Sequence, residues 1–156
     1  MGQIIKRDEI ENLIQNLKKE NKKIVFTNGC FDILHVGHVR YLKESSKHGD
    51  ILIIGLNSDS SVKKLKGDSR PINTELDRAE ILSELNFVDY VVIFEEESPV
   101  KLLDEIKPDI YTKGADYTVE TLPEAQVVIK NKGEIKFINL IQGKSTTNVI
   151  KKIEKN

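Results

Sequence analysis

Lys23-Ile24-Val25-Phe26-Thr27-Asn28-Gly29-Cys30-Phe31-Asp32-Ile33-Leu34-His35-Val36-Gly37-His38-Val39-Arg40 changes conformational character twice. Ile24-Val25-Phe26 is too short and too β-branched for a helix, so it predicts a buried strand. Asn28-Gly29 breaks that strand, and a helix is expected from about Gly37 to Lys47, stopped by His48-Gly49. A strand that feeds a helix through a glycine-containing turn leaves unpaired N–H groups and the positive end of a helix dipole facing one point. Phosphate suits such a point.

On the amino side of this stretch, Ile10, Leu13, Ile14 and Leu17 recur at helical spacing and predict an amphipathic helix over Lys6 to Glu20. On its carboxyl side, Ile51-Leu52-Ile53-Ile54-Gly55-Leu56 reads as a second buried strand, completing a right-handed parallel βαβ unit. The segment from Val62 to Arg70 sets Lys63, Lys64, Lys66 and Arg70 against one acid, Asp68, and predicts a mobile cationic loop. A helix over Thr74 to Asn86, a strand over Val88 to Phe94 and a helix opened by Glu95-Glu96-Glu97-Ser98-Pro99 follow. Asp109 to Thr112 is expected as a strand, Leu122 to Lys130 as a helix and Ile135 to Ile138 as a strand, with a last helix from Ser145. This alternation predicts an α/β, Rossmann-like, doubly wound parallel sheet of about five strands, with ligands at the carboxyl ends of the strands. One domain over 1–156 is expected, an N-terminal helix within 1–22 preceding a catalytic core at 23–153.

The 156 residues can bury roughly two-thirds of the surface that the unfolded chain exposes. With 24 basic and 25 acidic residues the formal charge is −1, which gives no basic excess to attract nucleic acid or a membrane surface. Cys30 is the single cysteine, and with neither a signal peptide nor a long apolar run the expected setting is the cytoplasm.

His35 and His38, three residues apart across a helix start, can face one ligand and stabilise charge developing on a phosphate. A zinc site is the competing reading, but no second cysteine or suitably spaced carboxylate completes a tetrahedral set. Gly29 either admits the ligand to the backbone or serves an ordinary turn, and Cys30 is either a reactive thiol or, more in keeping with its position, a small packing residue. Gln142-Gly143-Lys144-Ser145-Thr146-Thr147 opens the final helix with a cation and three hydroxyls, suited to a polyphosphate tail. Lys66 and Arg70 are candidates to close over a reacting phosphate, Arg78 to bind phosphate or pair with Asp77 or another acid. Lys113-Gly114-Ala115-Asp116-Tyr117 suits a polyol phosphate. Neither the ATPase phosphate loop nor the dinucleotide fingerprint occurs.

Phe31-Asp32-Ile33-Leu34-His35-Val36-Gly37-His38 after Thr27-Asn28-Gly29, together with Ser145-Thr146-Thr147, resembles the cytidylyltransferase-like nucleotidyltransferases. Extended by N-S-D-S-S-V-K-K-L-K-G-D-S-R-P-I-N, K-G-A-D-Y and S-T-T-N-V-I-K-K-I, it is most similar to bacterial heptose 1-phosphate adenylyltransferases, over Lys23 to Ile153. The resemblance implies that AMP passes from ATP to a sugar 1-phosphate, giving ADP-heptose for lipopolysaccharide or another surface glycan, and pyrophosphate. It implies catalytic roles for His35, His38 and Lys66. It places ATP against Thr27, Asn28, Gly29, Cys30, Phe31, His35, His38, Lys144, Ser145 and Thr146. The acceptor is expected at Asp32, Asn57, Arg70, Lys113, Gly114 and Asp116, with Mg²⁺ held mainly by the nucleotide. A separate sugar kinase supplying the acceptor, and a homodimer, are implied as well. Glycerol-3-phosphate cytidylyltransferases, which use CTP, are the alternative. They carry arginines where this chain has Asn86 and Leu140, which weakens that reading. An alternative of another class is a nucleotide-binding module without chemistry.

Overall fold

The computed structural model describes residues 2–140 and 145–155. Ile24-Val25-Phe26-Thr27 lies at the centre of a six-stranded, all-parallel sheet. Its strands are β1 (Gln3–Ile5), β2 (Ile24–Gly29), β3 (Ile51–Asn57), β4 (Tyr90–Phe94), β5 (Ile110–Gly114) and β6 (Glu134–Ile138), ordered β1-β4-β3-β2-β5-β6. The seven helices among the described residues are α1 (Ile10–Lys19), α2 (Val36–Ser46), α3 (Asp59–Lys66), α4 (Glu75–Ser83), α5 (Val100–Ile106), α6 (Ala125–Lys130) and α7 (Thr146–Lys155).

Because side chains alternate along a strand, β2 feeds two cores. Ile24 and Phe26 pack with α1, α5 and α6 through Ile14, Leu17, Leu103, Ile106 and Val128. Val25 points the other way, toward α2 and α4, where Leu42, Ala79 and Leu82 lie. Burial on both faces explains the unbroken apolar runs that replace an alternating pattern.

Chain order fixes where the crevice falls. From β2 the chain steps outward to β3 and β4, then crosses back so that β5 lies on the other side of β2. The carboxyl ends of β2 and β5 therefore flank the point at which strand order reverses, and ligands of such sheets bind there.

At the amino ends, aspartates tie neighbouring strands together. Asp50 Oδ2 accepts the Lys23 N–H at 2.7 Å, Asp109 Oδ2 accepts the Ile24 N–H at 2.8 Å, and Asp89 Oδ2 accepts the Leu52 N–H at 2.8 Å. Each carboxylate satisfies a backbone donor that the parallel ladder leaves over at its start.

Three expectations need correction. Five strands become six because Gln3–Ile5 pairs with β4, Gln3 opposite Tyr90; three residues are too few to show a periodicity. The helix expected from Lys6 opens as a 3₁₀ turn at Arg7–Glu9. The predicted mobile cationic loop is mostly α3. Ser58 caps it by accepting the Ser61 N–H at 3.2 Å, Val62 is fully buried, and the lysines occupy the last turn, at the negative end of the helix dipole. No helix among the described residues is long and apolar enough to cross a membrane.

Candidate active site

The turn after β2 is built around the two histidines. His35 is the N-cap of α2; its Nδ1 accepts the Gly37 N–H at 3.1 Å, while His38 Nδ1 accepts the His35 N–H at 3.3 Å. With both Nδ1 atoms accepting, each neutral ring carries its proton on Nε2. The rings stack with centroids 3.8 Å apart, and Phe31 meets His38 edge-on at 5.3 Å. Burial, and then the neighbouring His35, push the His38 pKa down to about 4, so this side chain is a neutral N–H donor at pH 7. Gly29 serves this packing: a Cβ there would lie 2.9 Å from the Phe31 ring. Phe31 itself turns with φ of 45°.

A cavity of about 720 Å³ opens above the turn, a volume in the range of nucleotide-sized ligands. It brings together Asn28, Gly29, Cys30, Phe31, Asp32, His35, His38, Asn57, Lys66, Arg70, Lys113, Gly114, Asp116, Ser145 and Thr146 from segments far apart in sequence. Ser145 caps α7, its Oγ accepting the Asn148 N–H at 3.0 Å, and the Thr146 hydroxyl donates to Ile33 C=O at 3.2 Å. The starts of α2 and α7 thus converge on one space, which two helix dipoles make favourable for anions.

Not every expected residue reaches it. Thr27 lies beneath the floor, fully buried, its Oγ1 2.9 Å from the Tyr41 hydroxyl and donating to Thr112 C=O at 3.2 Å. Lys144 falls outside the described residues. Arg78, left open between phosphate and a protein partner, is a protein tie. Its fully buried guanidinium donates to Cys30 C=O and Asn57 C=O at 2.8 Å, to Asn73 C=O at 3.0 Å and to Asp59 Oδ1 at 2.9 Å. Burial pushes the Cys30 thiol pKa up, ahead of the opposing pull of Lys66 and Arg78, which fits a packing residue better than a reactive thiolate.

The cavity has two unlike wings. Beyond β3 it holds Lys66 at the end of α3 and Arg70, fixed to Asp32 at 2.7 Å, together with Glu97 from the segment after β4. In this wing the Asn57 amide donates to Ser61 Oγ at 2.9 Å, so part of its hydrogen-bonding capacity is committed to α3. Beyond β5 the lining includes the apolar surfaces of Pro123, Leu140 and Tyr117. Beneath them the Tyr111 hydroxyl donates toward Asn28 Oδ1 and, at 2.8 Å, toward Glu124 Oε1; Lys113 Nζ lies 3.7 Å from the same carboxylate oxygen. Burial and then the Glu124 charge hold the Tyr111 phenol well above its ordinary pKa, so it stays a donor.

Sequence reasoning missed Glu97-Ser98-Pro99 and Glu124, which also line the cavity. The first follows the carboxyl end of β4, where the strand-end rule could have found it. Glu124 carried no local signal, since its partner Tyr111 belongs to another element.

Residues 26–152 match the family described as cytidylyltransferase-like. A protein of Aliarcobacter butzleri named bifunctional protein HldE is 56% identical over 149 residues, covering 96% of this chain. A protein of the same name from Campylobacter concisus is 52% identical over 147 residues, covering 94%. The chain spans 30% of the length of each of these relatives. A crystal structure titled as the lipopolysaccharide core biosynthesis protein from Thermoplasma volcanium superposes with a TM-score of 0.62 at 36% identity, covering 77% of this chain and 97% of that one. By its family match and by the HxGH turn it builds at the sheet's switch point, this chain belongs to the cytidylyltransferase-like family.

Proposed function

We propose that the chain is a nucleotidyltransferase that moves AMP from ATP to a heptose 1-phosphate, forming ADP-heptose and pyrophosphate. The observation that supports this reading is the reciprocal capping of α2 by His35 and His38, which sets both imidazoles and the positive end of a helix dipole beside the cavity. The resemblance of the N-S-D-S-S-V-K-K-L-K-G-D-S-R-P-I-N and K-G-A-D-Y stretches to heptose 1-phosphate adenylyltransferases supports a heptose as acceptor, and the lipopolysaccharide core biosynthesis named for the Thermoplasma volcanium protein agrees with it.

The acceptor's phosphate oxygen attacks the α-phosphorus in line. A new P–O bond forms, the bond from the α-phosphorus to the bridging oxygen breaks, and pyrophosphate departs with the electron pair. The attacking oxygen is already ionised at pH 7, so the site needs no general base. Its work is positioning and charge stabilisation, matching a cavity rich in donors.

Ser145, Thr146 and Lys144 hold the triphosphate tail and Lys66 the reacting phosphates. The apolar surfaces of the β5 wing suit a planar base, and the cations of the β3 wing suit a phosphorylated acceptor. This moves Lys113, Gly114 and Asp116 from the sugar, where the sequence put them, to the nucleoside. Mg²⁺ fits as an ion carried in by the nucleotide, where it neutralises phosphate charge. Among the described residues no group of three or more His, Cys, Asp or Glu side chains could hold it. A sugar kinase supplies the acceptor, and a cytoplasmic homodimer is the expected form.

Pyrophosphate release with ATP or CTP, against each anomer of heptose 1-phosphate and against glycerol 3-phosphate, tests the reading. Turnover is expected with ATP and one heptose anomer. Turnover with CTP alone would overturn the adenylyl assignment, and tight ATP binding without pyrophosphate from any acceptor would leave a binding module.

A further inference from the structure

Asp32 stands three residues before His35, its side chain wholly buried, and the sequence assigns it to the substrate. Its carboxylate is engaged elsewhere. It accepts Arg70 Nε–H at 2.7 Å, the Ile72 N–H at 2.8 Å and the Asn73 N–H at 3.0 Å, while Asn73 Nδ2 donates to the Asp32 carbonyl at 2.7 Å. Burial pushes the Asp32 carboxyl up, but the Asn73 and Ile72 amides and Arg70 together outweigh it and hold it below its ordinary pKa. A carboxylate so occupied has little left to offer a ligand.

Arg70 is placed differently. Among the described residues the hydrogen bond of its side chain is the one from Nε, and that side chain is 12% exposed and lines the cavity. The guanidinium is planar, so fixing Nε fixes the direction of both Nη groups, and these form the fork available to the cavity. The chain leaves α3 at Gly67, with φ of 100° and nothing within 4 Å of where a Cβ would be. From that open turn to Asn73, Asp32 ties the segment to the HxGH turn, through its carboxylate and, at Asn73 Nδ2, through its carbonyl, while Arg78 bridges Asn73 C=O to Cys30 C=O.

We propose that Asp32 is a positioning residue: through Arg70 it builds a subsite for the phosphate of the acceptor, so that a phosphorylated acceptor is selected over a neutral sugar. This deepens the proposed function and rests on it for placing the acceptor in the β3 wing. Lysine cannot replace Arg70, because one ammonium can meet Asp32 or the ligand but lacks the fork that holds one while presenting to the other.

Steady-state pyrophosphate release by the wild type, Asp32→Asn, Arg70→Lys, Arg70→Ala and the Asp32→Asn/Arg70→Ala double variant tests this, varying acceptor and ATP in turn. Asp32→Asn and Arg70→Lys should raise the acceptor KM by about tenfold or more, with the ATP KM changed by less than about twofold. The double variant should be no worse than Arg70→Ala, since Asp32 acts through Arg70. An unchanged acceptor KM in Arg70→Lys, or losses that multiply in the double variant, overturns the proposal. Should Asp32→Asn fail to fold, Arg70→Lys leaves the Ile72 and Asn73 bonds to Asp32 intact and gives the same readout. If the wild type releases no pyrophosphate, the adenylyltransferase reading falls and inorganic phosphate decides this inference. Phosphate binding by calorimetry that is weakened about tenfold in Arg70→Ala supports the subsite, and equal binding ends it.

Discussion

The two ends of the sheet carry opposite chemistry. At the amino ends, Asp50, Asp89 and Asp109 each satisfy a backbone N–H of a neighbouring strand, and the arrangement is closed within the protein. At the carboxyl ends the chain gathers two helix starts, two imidazoles and the Lys66 and Arg70 cations around an open cavity. One end has its donors and acceptors matched; the other presents an excess of donors to whatever anion enters. A folded protein can keep such an excess only where stability is supplied elsewhere, and the matched end is one supplier.

This contrast predicts separable mutational effects. His38→Ala should lower kcat by about 10²–10³-fold, as expected for removal of one donor to a developing charge, with a small shift in melting temperature. Pyrophosphate assays with melting curves check both halves, and near-normal turnover would remove His38 from the chemistry. Arg78→Met challenges the contrast, because Arg78 belongs to the reactive end but is matched like the other. It should destabilise the protein by about 3 kcal/mol in urea unfolding, through the carbonyls and the Asp59 carboxylate it abandons. Asp109→Ala, at the closed end, should lose about 1–2 kcal/mol of stability and leave kcat unchanged for the folded fraction. A fall in kcat there would mean that the two ends are mechanically coupled.

A further effect is on pH. The His38 pKa is depressed in the folded state, from 6.5 to about 4, so the unfolded chain binds more protons in that interval. Stability from this group is complete above about pH 6.5 and is lost as pH falls toward 4. The drop in melting temperature between pH 7 and pH 4.5 should be smaller in His38→Gln than in the wild type, and equal drops would exclude His38 as its source.

What the sequence made legible follows from range. Ile24-Val25-Phe26 and Ile51 to Leu56 declare themselves as strands because burial on both faces demands a continuous apolar run. His35 and His38 stand out because a cap and its helix are neighbours in the chain. The lysines of α3 hid a helix whose evidence was one buried valine and one serine cap. In sequence Asp32 looks like a ligand, because a carboxylate looks the same there whether it faces substrate or protein; the structure engages it with Arg70, Ile72 and Asn73. Its partner Arg70 is 38 residues away, and the Tyr111 contact with Asn28 spans 83. Such pairings exist only once the sheet has brought strand ends together.

The reciprocal cap on α2 has one further consequence. Ser58 and Thr74 cap α3 and α4 with hydroxyls, whereas α2 starts on the same imidazoles proposed to meet the nucleotide. Fraying of its first turn therefore disperses those donors, and an occupied site resists fraying. Amide hydrogen exchange at His35 and Gly37 should slow on nucleotide binding more than at the starts of α3 and α4, recording assembly of the site and of the helix end as one cooperative event.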